Sequence, residues 1–265
     1  MLSMTPLAAD HTFIARRNPV AKLICNALAS ITILMATDWF TPSLILAIVL
    51  LAMPFSGVTV RGFAYRMRLM VPAAATVVVV AAVFAAEKLG TVVFEAGPIV
   101  VTTSSIETGV ALGLRVLAIA SCAVLTFATT DPTELADSLI QQWRVPARFA
   151  IGSLAALRLL PLLSHEWHLI TMARRARGID AGVNPLLHIK LLGSIIFALL
   201  VGAIRRGTRL ATAMDSRGFD SGKPRTIARP QHLRNADWCL MAAVGIACAA
   251  TLTVSMQLGV YRGLF

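Results

Sequence analysis

Five stretches of this chain, at about 20–37, 39–58, 69–86, 108–130 and 238–261, are apolar over the length a helix needs to cross a bilayer. Only Lys22, at the mouth of the first, and Arg115, inside the fourth, interrupt them with charge. No soluble fold buries so much apolar length in one small domain. Composition agrees: 57% of residues are hydrophobic and 14% charged, with a mean hydropathy of +0.76, whereas a soluble chain carries about a quarter charged residues. Lipid must therefore cover part of the surface. Residues 1–18 hold His11, Arg16 and Arg17 but no apolar run, so no secretory signal is expected and the first apolar stretch is read as a retained span.

The net charge of +11 then calls for a membrane explanation before a nucleic-acid one, because cytoplasmic loops concentrate Lys and Arg. With the N-terminus inside, 21 of 24 basic residues fall inside, Lys88 and Arg262 fall outside, and Arg115 lies within a span. A sixth crossing by Pro185 to Ile204 would move eight charges outside, Arg205, Arg206, Arg209, Arg217, Lys223, Arg225, Arg229 and Arg234. That segment is therefore read as a long helix at the bundle, partly at membrane depth. The expected fold class is an all-α integral membrane protein with about five transmembrane helices and a cytoplasmic or interfacial coupling module of three helices. Its expected divisions are residues 1–130 (a bundle of four spans), 131–235 (the module) and 236–265 (a C-terminal span).

The middle third is too long and too patterned to be a connector. Asp131-Pro132-Thr133-Glu134 is a compact helix start, with a capping Asp, Pro at the first position and Glu as a capping-box partner. Leu135, Leu139 and Trp143 share one face of the short helix that follows. A longer helix is predicted at about 146–177, with Pro161 expected to kink or split it. A third, at about 185–217, starts from Asn184-Pro185. Both long helices end on cations followed by Gly, the chemistry of a helix C-terminus.

Those two ends repeat each other. Arg177-Gly178-Ile179-Asp180 recurs forty residues later as Arg217-Gly218-Phe219-Asp220, and each Arg follows an Ala by four residues, Ala173 and Ala213. Capping explains one such end but does not require two alike on one membrane face. A guanidinium at a helix end can enter a groove and bond a carboxylate bidentately. The neighbouring Gly lets a partner backbone approach, and the Asp three residues on can orient the Arg or accept from the partner. Two matched cationic tips suit the gripping of two similar soluble partners.

Other candidates for chemistry are weaker. His165-Glu166-Trp167-His168 has its histidines at i, i+3, not the i, i+4 of a zinc hydrolase. An intramembrane metal-dependent hydrolase using these residues is the alternative reading, but the sequence offers it no second carboxylate or nucleophile–base pair. Cys25, Cys122, Cys239 and Cys248 form no CxxC pair and read as small core residues. Gly109-x3-Gly113 suggests close helix packing. Arg115 is either a functional intramembrane charge or one that snorkels to the outer end. No phosphate-binding Walker A sequence is present.

With its two tips the chain resembles the transmembrane T component of energy-coupling factor (ECF) transporters, the EcfT/CbiQ/BioN-like family, which carries two Ala-Arg-Gly motifs at the ends of coupling helices. Ala176-Arg177-Gly178 matches fully; Ser216-Arg217-Gly218 departs at its first position. Asn18-Pro19-Val20-Ala21-Lys22-Leu23 is similar to the start of the family's first span. Thr129-Thr130-Asp131-Pro132-Thr133-Glu134-Leu135 is similar to the start of its first coupling helix, and Ala156-Leu157-Arg158-Leu159-Leu160-Pro161-Leu162 to its next helix.

The resemblance implies a non-enzymatic coupling subunit of an importer for vitamins or transition-metal ions, without a cofactor or resident metal. It would lie in the inner or plasma membrane of a prokaryotic cell. Its partners would be two ATP-binding-cassette ATPase subunits, each holding one tip, a small hydrophobic substrate-capture membrane subunit, and the lipid bilayer. Asp180 and Asp220 would support docking. Leu157, Leu160, Leu163, Leu191, Leu192 and Phe197 would belong to the seat of the capture subunit.

Overall fold

The computed structural model describes residues 12–84, 91–96, 99–179, 182, 184–219, 227 and 229–259. Nine helices and one hairpin are found among them: α1 (Pro19–Met35), α2 (Phe40–Ser56), α3 (Val60–Met67), α4 (Met70–Phe84), β1 (Val92–Ala96), β2 (Ile99–Thr102), α5 (Thr103–Ala128), α6 (Pro132–Gln142), α7 (Ala147–Ala176), α8 (Pro185–Ser216) and α9 (Asn235–Gln257). The chain divides into two compact units, Met1–Trp143 with Gln231–Phe265, and Arg144–Pro230.

Helix starts follow the sequence chemistry. Asn18, Asp131 and Asn184 each accept a backbone N–H of the first turn with their side chains, and each precedes a Pro. α5, α7, α8 and α9 are long and apolar enough to cross a membrane; α3 with α4 makes a fifth candidate, bent by 42°. α1 and α2, at 17 residues each, sit at the lower limit of a spanning helix. The architecture is that of an all-α integral membrane protein. The stretch after α4 holds β1 and β2, paired antiparallel with Ala96 opposite Ile99; its β-branched residues suit strands. α7 runs through Pro161 as a single helix and is not split. In a helix of 30 residues, keeping the remaining backbone bonds outweighs the one bond that Pro removes.

In the first unit α1, α2, α5 and α9 share a core of small and branched side chains, including Ile33, Ile45, Val49, Ala118 and Cys248. α4 lies close against α5 at the two glycines. A Cβ at Gly109 would stand 2.7 Å from the Val78 carbonyl oxygen, and one at Gly113 would stand 2.4 Å from Val78 Cγ2. The Gly109-x3-Gly113 pattern is thus a packing device.

Two polar knots tie this bundle together, one at each end of α1. At its start, the buried Lys22 ammonium donates to the carbonyls of Ala15 (2.9 Å) and Thr129 (2.6 Å). Asp237 of α9 accepts from the backbone N–H groups of Asn18 (3.3 Å) and Arg234 (2.8 Å). At the other end, buried Asp38 accepts from the N–H and hydroxyl of Thr41 (3.2 and 2.8 Å) and from Ser255 Oγ of α9 (2.6 Å). Arg115 reaches across from α5 to donate to the Ala36 carbonyl, within Coulombic reach of Asp38. The lone charge inside a span is therefore a strut between α5 and the α1–α2 turn.

Candidate functional site

In the second unit α7 and α8 run in opposite directions. The Arg174 guanidinium, near the end of α7, donates to the Leu191 carbonyl (3.2 Å) and Ser194 Oγ (2.6 Å), early in α8. Further along, Glu166 of α7 is ion-paired with Arg206 of α8. Beyond that, Gly152, Ala155 and Leu159 share a groove with Leu210, Met214 and Phe219.

The repeated sequence is a repeated geometry. Arg177 caps α7 with φ −91° and ψ 7°, and Arg217 caps α8 with φ −90° and ψ 10°. Gly178 and Gly218 follow in the left-handed region at φ 71° and 72°, where a Cβ would be strained. The Ile179 N–H reaches the Arg174 carbonyl at 3.0 Å, and the Phe219 N–H reaches the Met214 carbonyl at 3.1 Å. The Gly178 and Gly218 N–H groups donate to Arg175 and Asp215 carbonyls at 3.0 and 2.9 Å. Both ends are Schellman caps, which satisfy the last carbonyls and turn the chain sharply.

Ala176, Arg177 and Gly178 are exposed, as are Ser216, Arg217 and Gly218. Neither Arg177 nor Arg217 makes a side-chain hydrogen bond or ion pair among the described residues. Ser216 folds its hydroxyl back onto the Ala213 carbonyl at 3.0 Å. Its departure from Ala therefore leaves no free donor on the tip. Asp180 and Asp220 lie outside the described residues.

The position of the Glu166–Arg206 pair is informative. These residues are forty apart, the same offset that relates Arg177 to Arg217. Each Arg tip is thus eleven residues beyond the crossing contact on its own helix. At 1.5 Å per residue each arm is about 16 Å long, so the tips of an antiparallel pair stand up to about 33 Å apart. The sequence repeat becomes a balanced pair of arms about one ion pair. That pairing gives Glu166 a partner within the fold. Among the described residues no group of three or more His, Cys, Asp or Glu side chains is placed to hold a metal ion.

The residues expected to seat a membrane partner are partly exposed. Leu157, Leu160, Leu192 and Phe197 are exposed, Phe197 at 67%, while Leu163 and Leu191 are half-buried. The structure adds a longer stripe on α8 that residue-by-residue reading missed: Leu186, Ile189, Ile196, Leu200 and Ile204, all exposed, Leu186 at 77%. Their spacing of three, four or seven residues was the available signal.

The fold defines an all-α membrane protein with two matched cationic helix tips, and comparison with known proteins gives the class, transporters, and the family. The family model described as CbiQ, cobalt transport protein, matches residues 10–227. Similar curated proteins include the energy-coupling factor transporter transmembrane protein EcfT 1 of Listeria monocytogenes serotype 1/2a, 29% identical over 83% of this chain and 85% of that protein. The EcfT of Thermosediminibacter oceani is 29% identical over 91% and 93%, and that of Lactococcus lactis subsp. cremoris 28% over 88% and 90%. The chain belongs to the CbiQ family and, with it, to the transmembrane T components of energy-coupling factor transporters.

Proposed function

We propose that this chain is the mechanical coupler of an ECF-type importer. Two cytoplasmic ATPase subunits grip Ala176-Arg177-Gly178 and Ser216-Arg217-Gly218, with Asp180 and Asp220 in support. Nucleotide-driven closing and opening of the ATPases moves the tips, and α7 and α8 carry that motion to a capture subunit seated on their apolar faces. The observation that carries this reading is the pair of identical caps on equal arms about Glu166–Arg206, because two like partners moving symmetrically need two like handles. Residues 131–235 then act as the coupling module, and the positive-inside asymmetry favours an N-terminus and both tips on the cytoplasmic side. The capture subunit selects the cargo, a vitamin or a transition-metal ion; the family description favours a metal ion. ATP hydrolysis belongs to the partners.

The test is Arg177→Glu combined with Arg217→Glu. The double variant is expected to insert in the membrane at the normal level but to lose the ATPase subunits on co-purification. If both ATPases still co-purify and transport persists, the docking assignment is wrong.

A further inference from the structure

The first unit carries a second basic surface, built from residues outside the two tips. α3 holds Arg61 and Arg66 within eight residues, and Arg68 caps its end. Arg16 and Arg17 join it from the segment before α1. That segment is seated on the α2–α3 turn: the Ile14 N–H donates to the Phe55 carbonyl (3.4 Å), Thr12 Oγ1 donates to the Ser56 carbonyl (2.9 Å), and Thr12 lies so close over Gly57 that a Cβ there would stand 2.3 Å from Thr12 Cγ2.

None of the five guanidiniums is ion-paired with a carboxylate among the described residues. The one acidic residue between positions 11 and 86 is Asp38. It is engaged in the knot at the opposite end of α2, some 25 Å away along a helix of 17 residues.

Apolar and aromatic side chains are interleaved with these charges. Phe63 and Met67 are buried and anchor α3 on the bundle, whereas Phe13, Phe55, Val60, Tyr65 and Leu69 are each more than half exposed. Arg17 stacks over Phe13 at 3.9 Å and Arg68 over Tyr65 at 4.6 Å, which holds guanidinium and ring together at one level. α3 turns 42° out of line with α4, at the point where charge begins. A short helix that leaves a span, buries one face, and presents Arg beside Tyr and exposed aliphatics has the chemistry of a helix lying at the water–lipid boundary. A soluble protein surface would leave the exposed Phe55, Val60 and Leu69 without a reason; acyl chains give them one.

We propose that Arg61, Arg66 and Arg68, with Arg16 and Arg17, form a binding surface for anionic phospholipid headgroups. The guanidiniums take the phosphates, while Phe13, Phe55, Val60, Tyr65 and Leu69 lie among the upper acyl chains. The surface rests on the chain being a membrane protein, not on the coupling mechanism.

The experiment is native mass spectrometry of the full chain, released from micelles equilibrated with phosphatidylglycerol or phosphatidylcholine. The unaltered chain is expected to retain phosphatidylglycerol at least about tenfold over phosphatidylcholine. Each guanidinium near an anionic surface contributes roughly fivefold. The triple variant Arg61→Gln, Arg66→Gln, Arg68→Gln should therefore lower the ratio at least about tenfold, leaving only what Arg16 and Arg17 hold. The corresponding Arg→Lys triple should keep most of it, which separates loss of charge from loss of fold. Arg205→Gln with Arg209→Gln, basic residues of α8, should leave the ratio unchanged.

Three results overturn the proposal: the Gln triple keeps its preference, the α8 control loses it equally, or free inorganic phosphate displaces the lipid, which would make this an anion site rather than a lipid surface.

Discussion

If the two Arg tips work as a spaced pair, moving one along its own axis must break the pair while leaving each tip whole. Duplicating Thr208–Met214 in α8 does this. Residues 208–213 are exposed, so the insertion meets little packing. Seven residues add about 10 Å and two turns less some 20°, so Arg217 keeps nearly the same azimuth. The α8 arm beyond Arg206 grows from about 16 to about 27 Å, and the tip separation from about 33 to about 43 Å. A single ATPase subunit still finds an unaltered Schellman cap and an unaltered Arg. An ATP-bound ATPase pair, held rigid by its nucleotides, cannot engage both tips.

Engagement of the second tip is intramolecular once the first is docked, and its loss removes on the order of 10²–10⁴ of avidity. The assay is binding of the chain in lipid nanodiscs to immobilised ATPase subunits. Affinity for a single nucleotide-free subunit should match that of the unaltered chain. Affinity for a hydrolysis-deficient, ATP-bound pair should fall by at least a hundredfold. Equal affinity of both chains for the ATP-bound pair would refute the spacing argument, because no rigid partner could then be reading the distance between Arg177 and Arg217.

Three further perturbations address the parts that hold the tips and the bundle. Gly178→Ala places a Cβ in open space but at φ 71°, so it costs about 1–2 kcal/mol of cap conformation; melting of the purified chain should barely move while ATPase binding weakens about tenfold. Gly109→Ala drives a Cβ into the Val78 backbone, whereas Gly113→Ala meets only the Val78 side chain. Unfolding in SDS titrations should show a loss of about 1–3 kcal/mol for Gly109→Ala and a smaller one for Gly113→Ala, and a reversed order would contradict the α4–α5 contact. In a double-mutant cycle, Arg115→Met and Asp38→Asn should fall short of additivity by about 1–3 kcal/mol; additive effects would show that the strut does not depend on the Asp38 charge.

The elements that sequence alone made legible are those fixed by local chemistry. Asn18-Pro19, Asp131-Pro132 and Asn184-Pro185 start helices because a side-chain acceptor and a missing N–H sit where the first turn needs them. Arg177-Gly178 and Arg217-Gly218 end helices because Gly tolerates the left-handed turn. What stayed hidden depends on residues far apart in the chain. Arg115 could be read as functional or snorkelling because its acceptor, the Ala36 carbonyl, lies 79 positions away. Lys22 read only as a charge at the mouth of a span, since its two carbonyl partners come from different segments. Glu166 drew a metal reading from its neighbours in sequence, although its partner is Arg206 on another helix. The apolar stripe from Leu186 to Ile204 was readable from its period. It was obscured because the same segment also read as a possible crossing.

The two long helices put identical caps in unlike surroundings, and this bears on how force would pass between them. The α7 tip is braced from below by Arg174, which is tied to Leu191 and Ser194 near the start of α8. The α8 tip sits beside a groove lined by Gly152, Ala155 and Ala156 of α7, with Met214 and Phe219 above it. A displacement of the α7 tip is thus handed to α8 through hydrogen bonds, and the α8 tip lies over Arg148, Gly152, Ala155 and Ala156 of α7. Packed elements move as rigid bodies, and a groove of small residues is where they can slide. The equal arms make the two handles alike to their partners. On the proposed coupling, the end of each helix rests against the start of the other, so that a displacement of either tip would be felt on both.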